Sequence, residues 1–280
     1  MSSRRSDVEW ERFGSEDPYF GVVTDDRYHL ASLDADARAA FFRSGEDHVD
    51  HVMEQIDRHL CSRQRFERAL DFGCGVGRLV VPLSKRVGHV TGADVSESML
   101  TEAQSNCDSF GLDNVSLVRT DDELLNLEDG AFDFVHSFIV LQHIEPRRGV
   151  GIVRRLVDLM AVDGVAMLHL TYAKSYRVKR ANVMLVERVP YLENLLSAVR
   201  GTGLRRPPQM HMNPYPLNDV FSVIQLAGVS EMHVEFSDHA GERGVLLYFR
   251  KTQHPSPLDD RPAGPHGQDV ARNSYPEPRS

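Results

Sequence analysis

The stretch ALDFGCGVGRLV, residues 69–80, decides how the chain is read. An apolar run ends at Asp71, and Gly73, Gly75 and Gly77 then alternate with Cys74 and Val76 before a second apolar run begins. Lacking a Cβ, glycine takes up positive φ and lets backbone pass close to a bound group. The spacing is G-x-G-x-G, whereas the dinucleotide fingerprint has its third glycine three residues after the second. The acid two residues ahead of the first glycine would repel a pyrophosphate and attract an ammonium or sulfonium. The loop therefore points to a cationic ligand.

Working outward from this loop, residues 66–251 alternate short strand-like and helical runs. RALDF, HVTGAD, VSLVRT, FDFVHSF, VAMLHLTY, MHVEFSD and VLLYFRK are rich in β-branched, aromatic and aliphatic residues. Ser96 is placed to cap a helix whose face carries Met99, Leu100, Ala103, Cys107 and Phe110, with Gly111 stopping it. Pro146 suits the first turn of another helix, with Val153, Leu156, Val157 and Met160 on one face before Asp163-Gly164 turns the chain. Strands alternating with helices predict a doubly wound α/β domain on a mostly parallel seven-stranded sheet. Only HAGERG separates the last two strands, so they should run antiparallel at or near an edge.

In such sheets ligands bind beyond the carboxyl ends of the strands, at the switch point beside the first one. Asp94 ends the second strand, 23 residues after Asp71, where a carboxylate accepts both hydroxyls of a ribose. Asp121 ends the third strand and is placed to accept from an adenine amino group. Three acids at three successive strand ends would line one crevice.

LDFGCGVGR, VTGADVSESML, DDELLNLEDGAFDFVHSFIVLQHI and LMAVDGVAMLHL together resemble the class I S-adenosylmethionine-dependent methyltransferases. The antiparallel final strand pair is a hallmark of that Rossmann-like fold. The resemblance covers about residues 66–251. It implies S-adenosyl-L-methionine as cofactor, its methionine portion held by Asp71 and the Gly73, Gly75, Gly77 loop. It also implies Asp94 on the ribose, Asp121 on the adenine amino group, and the backbone of Ser137, just after the fourth strand, near the sulfonium. Cys74 fills a position where the family favours a small residue, which makes it a space-filler and not a nucleophile. By analogy the acceptor is a small molecule, a sugar or specialised metabolite methylated at oxygen.

A hydroxyl acceptor must lose its proton, and an imidazole is tuned for that near neutral pH. VLQHIEP places His143 just beyond the fourth strand, on the reaction side, as the candidate base. Glu145 fits the N-terminus of the following helix, His169 a packed position within the fifth strand, and Asp238 and His239 the final hairpin turn. No metal-ligand spacing stands out.

Residues 1–65 read as a helical cap, with GEDHVDHVMEQIDRHL the clearest segment and the aromatic-rich WERFGSEDPYFGVV placed to close the pocket. The connection at about 172–212 carries eight Lys or Arg against two Glu and reads as two short amphipathic helices broken at Pro190. It would form a lid for an anionic or partly apolar acceptor, or rest on an acidic membrane surface. Residues 252–280 hold six of the 14 prolines and are expected to be disordered.

The net charge of -9 argues against a general nucleic-acid binder. Three unpaired-looking cysteines and the lack of any long apolar run fit a soluble, cytoplasmic protein. Three alternatives stand beside the main expectation: a membrane-associated lipid or quinone methyltransferase, a nicotinamide-dependent oxidoreductase, and a non-catalytic module that binds S-adenosylmethionine.

Overall fold

The computed structural model describes residues 3–60, 65–174, 210, 212–239 and 241–252. The helices expected in the basic connection and the expected disorder of the tail lie outside these residues. Seven strands are present, each where the sequence places one: β1 (Phe66–Phe72), β2 (Val87–Asp94), β3 (Val115–Arg119), β4 (Phe132–Ser137), β5 (Met160–Lys174), β6 (Met232–His239) and β7 (Glu242–Arg250). They form one sheet in the order β3-β2-β1-β4-β5-β7-β6. All the neighbouring pairs are parallel up to β5, and β7 runs antiparallel to both β5 and β6. The reversal of order beside β1 makes the switch point that the glycine loop occupies.

The N-terminal residues are helical: α1 (Ser3–Glu16), α2 (Pro18–Val22) and α3 (Ala35–His59). Then come α4 (Val80–Ser84), α5 (Glu97–Ser109), α6 (Pro146–Leu159) and α7 (Leu217–Leu226). Ser96 caps α5 as its sequence predicts, its Oγ accepting from Met99 N at 3.1 Å. Gly111, at φ 66°, ends that helix. Glu145 caps α6, accepting from Arg148 N at 3.3 Å. Lys251 closes the other end of α6. Its buried ammonium donates to Val157 O and Met160 O, both at 2.9 Å, which satisfies carbonyls that the helix leaves open.

Two apolar layers cover the sheet. Ile152, Val153 and Leu156 of α6 with Val220 and Ile224 of α7 pack one face. Val49, Val52 and Ile56 of α3 cover Phe134, Met167 and Tyr248 on the other. A third cluster, Phe13, Tyr19, Tyr28, Phe41, Phe42 and Met99, ties the N-terminal helices to α5. Among the described residues no helix is long and apolar enough to cross a membrane.

The candidate cofactor pocket

A cavity opens beyond the carboxyl ends of β4, β1, β2 and β3, lined by Phe72, Gly73, Cys74, Gly75, Asp94, Asp121 and Phe138 among others. Gly73, Gly75 and Gly77 all adopt positive φ, at 75°, 52° and 84°. A Cβ on Gly73 would lie 2.3 Å from Val140, and one on Gly75 would lie 2.7 Å from Val22. These two glycines therefore keep the pocket wall thin. Gly77 faces Ala103 of α5 instead, so it serves the turn and not the cavity.

Four amides of this loop, those of Gly73, Cys74, Gly75 and Gly77, are already committed. Gly73 N and Cys74 N donate to Ala93 O at 2.7 and 3.1 Å, and Gly77 N donates to Cys74 O at 2.9 Å. Gly75 N donates to Asp94 Oδ2 at 2.9 Å. A dinucleotide loop must present such N–H groups to a pyrophosphate. Here they are spent inside the protein, with a carboxylate among the acceptors.

Asp94 lies at the end of β2 as expected, nearly buried at the cavity wall. Its Oδ1 accepts from Ser96 N at 2.9 Å, so the carboxylate is held from two sides with lone pairs left over. Burial pushes its carboxyl up from the ordinary range, against hydrogen bonds from Ser96, Gly75 and Val95 that hold it down. Asp121 lines the far end of the cavity, but β3 stops at Arg119, so it sits in the following turn and not at the strand end. There its Oδ1 accepts from Glu123 N and Leu124 N at 3.0 and 3.2 Å.

Asp71 is 2% exposed, one residue before the end of β1. Its Oδ1 meets His136 Nδ1 at 2.8 Å, while Oδ2 is buried without a hydrogen-bond partner. An orphaned carboxylate oxygen calls for a hydrogen-bond donor that the described residues do not supply, although the Arg78 guanidinium is near enough to act on it. Ser137 differs from expectation. It is the last residue of β4, fully buried, with its hydroxyl donated to Phe72 O at 3.1 Å. The cavity is lined instead by the next three residues, Phe138, Ile139 and Val140. β4 includes Ser137 as its last residue, one short of the strand-like run FDFVHSF, so the chain opens onto the cavity from Phe138 onward.

His143 faces the cavity from a 3-10 turn, Leu141–His143, and is buried. Trp10 of α1 lies against it, the ring centroids 5.0 Å apart at 65°. Trp10, Gly21 and Val22 form a wall, so the aromatic N-terminal segment does close the pocket. The closure is pinned at two places along α1, Asp7 and Glu11. Arg148 Nη2 reaches Asp7 at 3.1 Å and Asp122 at 2.6 Å, and Glu11 accepts from Ser96 Oγ at 2.8 Å and Ser98 Oγ at 2.5 Å.

Arg78 is a pocket residue that the sequence reasoning did not single out. It is 6% exposed, and Nη1 donates to Ser44 Oγ at 3.3 Å while Nε has no hydrogen-bond partner among the described residues. Burial lowers its pKa to about 10, with Asp71 acting in the opposite sense, so it stays cationic at neutral pH. Its only sequence signal was its place directly after the third glycine.

The weaker candidates fall as follows. His169 is packed in β5 with Nε2 3.0 Å from Ser237 Oγ. Asp238 and His239 belong to the end of β6 and not to the hairpin turn. Burial pushes the Cys74 thiol well above its ordinary value, with Asp94 and Asp71 adding to it, which leaves it a poor nucleophile. Among the described residues no group of three His, Cys, Asp or Glu could hold a metal ion.

A family model described as a methyltransferase domain matches residues 69–164. The chain is 33% identical over 102 residues to the ubiquinone biosynthesis O-methyltransferase of Roseobacter denitrificans, an alignment covering 34% of this chain and 41% of that one. It is 34% identical over 104 residues to the aklanonic acid methyltransferase DauC of a Streptomyces species, covering 35% and 45%. The chain thus spans less than half the length of these curated relatives. The magnesium protoporphyrin IX methyltransferase of Synechocystis, solved with S-adenosylmethionine, superposes with a TM-score of 0.57 at 18% identity, covering 88% of this chain and 97% of that one. That likeness is one of fold.

Proposed function

We propose that the chain is a class I S-adenosylmethionine-dependent methyltransferase that methylates a small molecule, at an oxygen atom, on a sugar or specialised metabolite; the methyltransferase-domain match over residues 69–164 supports this reading. The observation that carries the cofactor assignment is the glycine loop. Four of its amides are consumed internally, Asp94 accepts one of them, and a buried carboxylate oxygen on Asp71 lacks a partner. A cationic ligand fits that donor set, and a pyrophosphate does not. This disfavours the nicotinamide-dependent alternative on physical grounds. The Cβ positions at Gly73 and Gly75 are taken by Val140 and Val22, so only glycine lets these walls of the cavity pack against the loop.

In this assignment Asp71 faces the ammonium, Asp94 takes the ribose hydroxyls and Asp121 the adenine amino group. When bound, S-adenosylmethionine supplies a methyl group on a sulfonium, ready for in-line displacement. The protein supplies alignment and dryness. Phe138, Ile139 and Val140 give the β4 end of the cavity an apolar lining, while Trp10 and Val22 shield it from solvent. His143 is the group placed to take the acceptor's proton. The relatives' names, a ubiquinone biosynthesis O-methyltransferase and an aklanonic acid methyltransferase, support a small-molecule acceptor.

The deciding experiment is calorimetric titration with S-adenosylmethionine, S-adenosylhomocysteine and NAD, on wild type and Asp94→Ala. Binding of the first two alone, weakened by the substitution, supports the assignment and justifies a screen of acceptors with labelled methyl groups. Binding of NAD alone would overturn it.

A further inference from the structure

Behind the glycine loop, three side chains from three elements form a buried line. His136 of β4 stands beside Asp71 of β1, the two being paired in the sheet register. His136 Nδ1 lies 2.8 Å from Asp71 Oδ1, and its Nε2 lies 3.1 Å from Nε2 of His48 on α3. The proton positions follow from valence. A carboxylate only accepts, so His136 Nδ1 carries a hydrogen, and one of the two facing Nε2 atoms donates to the other. The line ends at the pocket, because the His48 ring stacks on Phe138 with centroids 3.8 Å apart, and Phe138 lines the cavity.

We propose that His136 and His48 are positioning residues for the ammonium subsite, holding Asp71 behind the glycine loop with one oxygen engaged and the other left without a partner for a cation. This rests on the assignment of the cavity to S-adenosylmethionine. Without His136, the short Asp71 side chain would lose its one hydrogen-bond donor and its fixed rotamer. A carboxylate held this way is pre-organised, and its remaining oxygen needs no rearrangement to meet a ligand. His136 faces Asp71 and His48. His48 in turn faces Arg78 from the turn ahead of α4, His51 on its own helix and His169 on β5. Burial, helped by these neighbours, holds His48 well below the ordinary imidazole value, so His48 is neutral at physiological pH. Acid adds a positive charge close to Asp71, which opposes an ammonium. Affinity for an ammonium-bearing ligand therefore falls as pH falls.

The test compares two ligands on the full chain: S-adenosylhomocysteine, and 5′-methylthioadenosine, which keeps the nucleoside thioether and lacks the amino-acid portion. His136→Leu should weaken the first about ten- to a hundred-fold, the range for loss of a charged hydrogen bond, and leave the second unchanged. His136→Asn, whose amide can donate from the Nδ1 position, should restore it. His136→Gln, whose donor is displaced by one carbon, should not. If the Leu variant does not fold, the contrast between Asn and Gln still decides. His48→Gln keeps a donor but cannot titrate, so it should bind as wild type at neutral pH with a flatter pH profile for S-adenosylhomocysteine. Equal loss of both ligands, no loss, or an unchanged profile in His48→Gln would overturn the positioning role while the cofactor assignment stands. A wild type that binds neither ligand overturns both.

Discussion

Trp10 stands edge-on to His143, with ring centroids 5.0 Å apart, and so joins the N-terminal helix to the candidate base. An imidazole packed in this way is confined to a narrow set of orientations, as a group that must meet a proton in flight requires. The contact also makes α1 part of the site and not merely a neighbour of it.

Removing the imidazole should separate binding from chemistry. His143→Ala is expected to lower kcat by about 100-fold, the lower end for loss of a general base, with cofactor affinity nearly unchanged. Single-turnover methyl transfer with the identified acceptor, beside calorimetric titration, measures the two separately. A drop in affinity equal to the drop in rate would assign His143 to cofactor binding.

Two glycines with similar φ should respond differently to alanine. Gly75→Ala brings a Cβ 2.7 Å from Val22 at a φ of 52°, and is expected to abolish cofactor binding as well as destabilise the fold. Gly111→Ala, at φ 66° with nothing within 4 Å, should cost only the left-handed backbone penalty, about 1–2 kcal/mol, with binding intact. Thermal unfolding and titration of both variants check the contrast.

Arg148→Met removes the cation between Asp7 and Asp122, which then face each other unneutralised. Arg148 and its partners are partly buried, and a loss of about 1–2 kcal/mol is expected, between surface and buried pairs. The release should be local. Limited proteolysis should cut within α1 first, and cofactor affinity should fall as the Trp10 wall loosens.

His169 predicts how stability depends on pH. Burial lowers its pKa to about 3, with His239 and His143 contributing, against an ordinary value of 6.5. Between those values the unfolded chain binds a proton that the folded chain refuses, so stability rises with pH in that window. It is fully present above about pH 6.5 and is lost as pH falls toward 3. The slope is at most about 1.4 kcal/mol per pH unit for one such group. His169→Asn should flatten the fall in thermal midpoint between pH 7 and pH 5, and an unchanged slope would show that other groups set it.

The parts of the site carried by consecutive residues were legible in the sequence. Asp71, the glycines and Asp94 announce themselves because a strand end, a turn and a helix cap each leave a local pattern. The acids at strand ends were placed within two residues, and the seven strands were all found. What the sequence could not display is proximity between distant residues. Trp10 meets His143, Asp7 meets Arg148, and His48 meets His136 only after the sheet and the N-terminal helices have packed. His136 looked like one residue of a strand, FDFVHSF. Its signal was a lone imidazole in a buried parallel strand, whose neighbour in register is Asp71. In the sequence Phe138 reads as the last residue of the strand FDFVHSF, whereas β4 ends at Ser137 and Phe138 opens onto the cavity.

The reversed strand has a temporal consequence. Of the seven described strands β7 is synthesised last, yet it lies between β5 and β6, so β6 has no partner in the sheet until the chain has passed Arg250. Until then β5 has an open edge, and α6 lacks the ammonium of Lys251 at its last carbonyls. The half of the domain that holds the glycine loop can be assembled during synthesis from local βα units. The other half must wait for a long-range insertion, and contacts of that span are slow to form. The final nine-residue strand thus acts as a zipper, closing the sheet from the middle and not from its rim.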